Sequence, residues 1–138
     1  MVGPALREFE ALIAIPGKLD VGPHTQALID ELVGAARAGH YLSVIIMAAA
    51  LVDVLAHEGA ETVFDEEEAE EEGFGLSMLR AGERRALDRL RGMRNRILHY
   101  QGPSEGLSGH SSDKDYLQEQ AVAAIKAVLP LLELQEMY

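Results

Sequence analysis

The sequence predicts an all-α protein, an antiparallel bundle of four to five helices. Apolar side chains recur at the three- and four-residue spacing of a helix in five segments, whereas the alternation typical of strands never continues beyond a few residues. The chain has 138 residues, of which 48% are hydrophobic, so it can bury one core but has little room for a second domain. We therefore expect a single helical domain over residues 1–138.

The first two predicted helices are amphipathic. The first has an apolar stripe that consists of Leu6, Phe9, Leu12 and Ile13, and Pro16 and Gly17 are expected to end it. The second is expected from Pro23 to Gly39, because proline suits the first turn of a helix and glycine the position after its last turn. Its stripe consists of Leu28, Ile29, Leu32, Val33 and Ala36.

The third segment, from His40 to about Glu58, is apolar on nearly every side. This pattern is typical of a helix packed between neighbours, so we expect it to be the central helix of the bundle. Gly59 is expected to end it. The acidic run at 65–72 lies in a connection over about residues 60–75, which we expect to be mobile because its charges repel one another.

The last two predicted helices complete the bundle. The fourth is expected from Leu76 to about Leu98, and its inward stripe is Leu76, Leu79, Ala86, Leu87, Leu90, Met93 and Ile97. A loop rich in glycine and serine is expected over about residues 101–114. The final helix is expected from about Asp115, with a kink at Pro130, and its inward residues are Leu117, Val122, Ile125, Val128, Leu129 and Leu132.

The composition limits the classes of function. A net charge of −11 excludes binding of nucleic acid through the field of the whole protein, but seven of the nine arginines lie between Arg80 and Arg96. Because there is no cysteine, a thiolate metal site is impossible and a reducing, cytoplasmic location is expected. The longest apolar stretch, from Val44 to Val52, is far shorter than the roughly 20 residues that span a bilayer, so no membrane association is expected.

Residues 94–99 form the segment in which chemistry can be argued. Arg94 and His99 lie near the end of the fourth helix and would be about 140° apart on an ideal helix, so a relaxed last turn would help them converge. A two-fold homodimer would instead bring two arginines and two histidines around one phosphate. The alternative is structural, because cationic side chains at the end of a helix complement its dipole and bind its last carbonyl groups.

The pattern Arg94-Asn95-x-x-x-His99 resembles the Arg-x(4–6)-His motif of the HEPN superfamily, whose members are small helical bundles. The predicted order of helices over roughly residues 25–134 is similar as well. The resemblance implies RNA cleavage at a dimer-composite site, without a metal or other cofactor, that leaves a 2′,3′-cyclic phosphate. It implies that His99 is the general base toward a ribose 2′-hydroxyl, that Arg94 holds the scissile phosphate, and that Asn95 orients the phosphate or the histidine.

Other residues extend this hypothesis. Several HEPN proteins support their active site with a polar or acidic residue on the central helix, which implies such a role for Asp53. Arg91, Arg96 and Tyr100 lie closest to the motif and are candidate RNA-binding residues. In one toxin branch of the superfamily, a tyrosine two residues after the histidine accepts AMP from a nucleotidyltransferase antitoxin. Gln101 stands at that position here, so this regulation is not expected to carry over.

Two hypotheses of function follow. The first is a dimeric HEPN-like ribonuclease, the toxin of a toxin–antitoxin or defence pair with a nucleotidyltransferase-like antitoxin as candidate partner. The second is a non-catalytic helical module for protein interaction or oligomerisation. Asp53, His57 and Glu61 recur every four residues, but no metal site is predicted because Gly59 is expected to end the helix between them.

Overall fold

The computed structural model describes residues 3–14, 21–63, 79–100 and 102–134, and at 57–63 the backbone alone. Within these ranges the chain forms five helices and no strand, which confirms the all-α prediction. The helices are α1 (Gly3–Ile13), α2 (Pro23–Ala38), α3 (Tyr41–Val63), α4 (Ala81–Leu98) and α5 (Asp113–Glu133). None of them, in the part of the chain described, is both long and apolar enough to cross a membrane.

The helix α3 is the centre of the bundle. It packs against α2, α4 and α5, while α1 packs against α2 and α5. The most deeply buried residues of α3 are at most 1% exposed, and they are Val44, Ile45, Ala48, Ala49, Leu51, Val52 and Leu55. This burial on several sides confirms the prediction of a central helix.

The turn between α2 and α3 is built on Gly39. Its backbone is left-handed, with a φ of 76°, and its N–H donates to the carbonyl of Ala36 at 3.2 Å. The N–H of His40 reaches the carbonyl of Ala35 at 2.9 Å. This pair of hydrogen bonds satisfies the last carbonyls of α2 and turns the chain directly into α3, as the glycine predicted.

The prediction that Gly59 ends the central helix is wrong, because α3 continues to Val63. A glycine inside a helix costs only about 1 kcal/mol relative to alanine, and it ends a helix only where the backbone turns left-handed. No glycine of α3 has a positive φ. The acidic run at 65–72 lies outside the described residues.

The helix α4 begins five residues later than the predicted Leu76, at Ala81. Arg80 is extended, with a ψ of 156°, and its N–H donates to the carboxylate of Glu83 at 2.9 Å. An acidic third residue that binds the backbone before the helix defines this start. The inward face agrees with the prediction, since Leu87, Leu90 and Met93 are buried.

The helix α5 begins at Asp113, two residues earlier than predicted. The carboxylate of Asp113 accepts the backbone N–H groups of Ser108 and Gly109 at 3.1 and 2.7 Å, and the Ser108 hydroxyl at 2.8 Å. The hydroxyl of Ser108 is the main cause that holds the pKa of Asp113 below its usual value of 3.8. These bonds tie the loop at 102–112 to the first turn of α5.

Candidate active site

The contact between α3 and α4 contains one acidic residue and two arginines. Nη1 of Arg94 donates to Oδ2 of Asp53 at 2.6 Å, and Nε of Arg91 lies 3.5 Å from Oδ1 of the same carboxylate. Arg91 and Arg94 are three residues apart and therefore share a face of α4. The side chains of Asp53 and Arg94 are 45% and 22% exposed, so this pair orients Arg94 more than it stabilises the fold.

Asn95 binds the other edge of the Arg94 guanidinium. Its Oδ1 accepts from both Nε and Nη2 of Arg94, each at 3.2 Å. A guanidinium has five N–H groups, so one N–H on each terminal nitrogen is not used by any described residue. Arg94 is therefore oriented by two neighbours and still has donors for an incoming anion such as a phosphate.

His99 follows the last residue of α4 and faces solvent. Its backbone is extended, with φ −115° and ψ 95°, and its N–H donates to the carbonyl of Asn95 at 2.9 Å. In the described part of the chain, no side chain forms a hydrogen bond or ion pair with its imidazole. Among the described residues, Arg94 makes its side-chain hydrogen bonds to Asp53 and Asn95 and none to His99.

Large apolar side chains are exposed at the end of α4 and in the loop that follows it. Leu98 is 56% exposed and Tyr100 is 85% exposed, so the two residues that flank His99 both face solvent. Leu107, in the following loop, is 43% exposed. Apolar side chains left in solvent next to a polar site are typical of a surface that binds a partner.

Arg96 lies away from the Asp53 contact, at a pocket formed by α4, the loop at 102–112 and the start of α5. The pocket has a volume of about 310 Å³ and is lined by Met93, Arg96, Ile97, Ser104, Glu105 and Tyr116. Burial raises the pKa of Tyr116, and the hydrogen bond that its hydroxyl donates to Glu105 raises this pKa further. The positive charge of Arg96 acts in the opposite direction.

Gly106 allows the loop to approach α5 at this pocket. Its φ is +83°, and a Cβ atom here would lie 2.8 Å from both Leu117 Cδ2 and Tyr116 Cδ1. Sequence reasoning missed Glu105 and Tyr116 because the loop brings them together. The glycine in the loop was the only local signal, and it indicates a turn without saying which helix the turn meets.

The structure thus divides the predicted residues into three groups. Arg91 and Arg94 contact Asp53, and Asn95 binds Arg94. Arg96 lies at the separate pocket. His99 and Tyr100 lie at the exposed end of α4. Among the described residues, no three acidic or histidine side chains are close enough to hold a metal ion. The side chains of His57 and Glu61 lie outside the described part.

No protein-family model matches this chain. Comparison with curated proteins and with solved structures also finds no match. The resemblance to the HEPN superfamily therefore stays a prediction from the motif at residues 94–99 and the predicted order of the helices.

Proposed function

We propose that this protein is a metal-independent endoribonuclease of the HEPN type that acts as a homodimer. The observation that carries the proposal is that Asp53 and Asn95 orient Arg94 while leaving donors free, and that His99, five residues later, is exposed at the end of α4. An arginine that only stabilised the end of α4 would bind the last carbonyl groups. Arg94 instead makes its hydrogen bonds to side chains.

The proposed reaction is attack of a ribose 2′-hydroxyl on the adjacent phosphorus. His99 accepts the hydroxyl proton, a new bond forms between the 2′-oxygen and phosphorus, and the bond from phosphorus to the 5′-oxygen breaks. Negative charge grows on the phosphoryl oxygens in the transition state, and the guanidinium of Arg94 stabilises it. The leaving oxygen takes a proton from water, so the products carry a 2′,3′-cyclic phosphate and a 5′-hydroxyl.

A second copy completes the proposed site. Within one chain Arg94 is turned toward α3 and hydrogen-bonds Asp53, whereas His99 lies beyond the end of α4. Burial of Leu98 and Tyr100 against their copies would bring two ends of α4 together about a two-fold axis. Each phosphate could then contact the arginine of one protomer and the histidine of the other.

The charge distribution supports a local attraction for RNA. The helix α4 contains six arginines and two acidic residues, although the whole chain has a net charge of −11. Attraction that depends on a local patch is weakened strongly by salt, because bound phosphates release counterions. A cytoplasmic toxin with a nucleotidyltransferase-like antitoxin completes the proposal, and this part derives from the resemblance alone.

The test is RNA cleavage in EDTA by wild type, Arg94→Ala, His99→Ala and a co-expressed mixture of the two variants. Each single variant is expected to lose about 100-fold or more in rate, because it removes charge stabilisation or proton transfer. Mixed dimers retain one arginine and one histidine, so the mixture should recover part of the activity. Arg85→Ala removes an exposed arginine of the same helix and is the matched control.

The catalytic proposal is rejected if Arg94→Ala and His99→Ala cleave RNA as fast as Arg85→Ala. If each single variant loses cleavage and the mixture does not recover it, the composite site is rejected. The roles of the two residues are then retained. Growth arrest in cells, scored for the same set of variants, checks the proposed toxin role.

The second candidate function is a non-catalytic interaction module. The exposure of Leu98, Tyr100 and Leu107 favours it, because an apolar surface is useful for binding whether or not the neighbouring motif is active. This function is the better conclusion if no variant or wild type cleaves RNA while a charge at Leu98 abolishes self-association.

A further inference from the structure

The pocket at Arg96 lies on the side of α4 away from the Asp53 contact. Residues two apart on a helix differ by about 160° in direction, so Arg96 and Arg94 serve different surfaces. The pocket volume of about 310 Å³ is at the lower end of the range of about 300–1,000 Å³ that is common for small-ligand sites. A flat molecule of the size of a nucleobase is the appropriate kind of occupant.

The lining of the pocket matches the two kinds of surface on a base. Met93, Ile97 and the ring of Tyr116 provide apolar surface for the faces of a planar ring. Arg96 provides donors and Glu105 provides acceptors for its edges. In RNA-binding proteins, single-stranded bases are recognised by this combination of stacking and edge hydrogen bonds.

Arg96 and Glu105 together select among the four bases. Guanine has two adjacent donors, N1–H and N2–H, which match the two oxygens of a carboxylate, and two acceptors, O6 and N7, which match an arginine. Adenine, cytosine and uracil do not combine a pair of adjacent donors with a pair of adjacent acceptors. Among the described residues, no ion pair joins Arg96 to Glu105. Both charged groups can therefore engage a ligand.

Glu105 retains acceptor capacity after its contact with Tyr116. The carboxylate has about four acceptor positions, of which the Tyr116 hydroxyl can use one. Tyr116 therefore leaves most of the acceptor positions of Glu105 for a ligand. Gly106 lets this loop lie close to α5, because a Cβ atom there would be 2.8 Å from Tyr116 Cδ1 and Leu117 Cδ2.

We propose that this pocket binds a guanine base of single-stranded RNA whose strand continues to the candidate site at residues 94–99. The inference rests on the proposed ribonuclease function for the identity of the polymer, but recognition of guanine follows from Arg96 and Glu105. Arg96 lies in the last turn of α4 and His99 follows the helix, so the pocket and His99 lie at the same end of α4. A strand with one base in the pocket would therefore pass this end of the helix.

The first test measures binding and requires no catalysis. Titration of the full chain with 3′-GMP, 3′-AMP and inorganic phosphate, followed by calorimetry or NMR, should show that 3′-GMP binds about tenfold or more tightly than 3′-AMP. Glu105→Gln should remove this preference, because it replaces an acceptor with an amide donor facing the guanine N–H groups. Glu119→Gln makes the same change at an exposed position of α5 outside the pocket and should bind as wild type does.

The second test measures cleavage of RNA oligonucleotides that contain one guanosine in an otherwise adenosine and cytidine sequence. Cleavage at a fixed position relative to the guanosine supports the inference if Glu105→Gln and Arg96→Gln make the cleavage unselective. Equal binding of 3′-GMP and 3′-AMP, or cleavage that depends on Arg94 and His99 without preference for guanosine, overturns it and leaves the ribonuclease proposal intact. Selective binding of 3′-GMP without Arg94-dependent cleavage retains the guanine pocket and rejects the ribonuclease.

Discussion

Asp53 is the residue on which the geometry of the candidate site depends most. It lies on the central helix, 41 positions before Arg94 in the chain, yet its carboxylate binds the guanidinium directly. Because the pair is partly exposed, its Coulomb energy is screened by solvent and contributes little to stability. Its main effect is to limit the orientations that Arg94 can adopt.

Asp53→Asn tests this positioning role. The amide keeps the size of the side chain but loses the charge, so Arg94 would be held mainly by Asn95. We expect the rate of RNA cleavage to fall about tenfold through kcat, while the free energy of unfolding in urea changes by less than about 1 kcal/mol. Asp88→Asn, which removes an exposed acidic residue of α4, is the control. Equal kinetics of the two variants would contradict the role of Asp53.

Gly106 is a second residue on which the local packing depends, because it has no Cβ atom. Gly106→Ala places a methyl group 2.8 Å from Tyr116 and Leu117 in a left-handed backbone. We expect a loss of about 2–4 kcal/mol in the free energy of unfolding, the sum of backbone strain and overpacking. Gly109 has a similar φ of +86°, but a Cβ atom there would have nothing within 4 Å. Gly109→Ala should therefore lower the free energy of unfolding by only about 1–2 kcal/mol. Equal losses in urea denaturation would show that the loop does not pack against α5.

At the scale of elements, the start of α5 combines a helix terminus with a loop. The lowered pKa of Asp113 means that its ionised form is favoured in the folded state. This stabilisation is present above the usual pKa of 3.8 and is lost as the pH falls through the lower, folded value.

Asp113→Asn should therefore have a lower melting temperature than wild type at pH 7. The difference should shrink as the pH falls below 3.8, where the wild-type carboxylate also becomes protonated. Calorimetry or circular dichroism between pH 7 and pH 2.5 measures both effects, with Asp30→Asn on α2 as the control for loss of one charge. A difference in melting temperature that stays constant over this range would show that the charge of Asp113 does not stabilise the loop.

The boundaries of the elements show which local signals are reliable. Gly39 ends α2 as predicted, since it adopts the left-handed backbone that the turn requires. Gly59 has the same residue type and does not end α3. The difference arises because α3 packs against three other helices. This packing stabilises the helix by more than the low helix propensity of one glycine destabilises it.

At the scale of the whole molecule, the exposed end of α4 determines the proposed assembly. Leu98→Glu places a charge at the centre of the proposed two-fold contact, where its copy would face it. We expect the protein to become monomeric in sedimentation or light-scattering measurements, and RNA cleavage to fall about 100-fold or more because the composite site is not formed. Ala27→Glu introduces the same charge on an exposed position of α2 and should leave the oligomeric state unchanged. A Leu98→Glu variant that self-associates as wild type does would contradict this interface.

The sequence by itself determined the helical class, the central helix and the large residues that face the core, apart from Leu131. These properties depend on the periodicity of apolar residues, which acts within each segment, and the buried Val44, Leu90 and Ile125 follow it. The sequence also identified the segment at 94–99, because its residue types and spacing are local. Its assignment to a ribonuclease stays a prediction for the variants above to test.

Only the tertiary structure decided which side chains meet. The contact of Asp53 with Arg94 depends on how α3 and α4 rotate about their axes, and the pocket at Arg96 depends on the path of a loop from Glu105 to Tyr116. Neither rotation nor path is encoded in a local pattern, because each results from packing of the complete core. The free donors of Arg94 and the separate surface of Arg96 are therefore visible only once the helices are assembled.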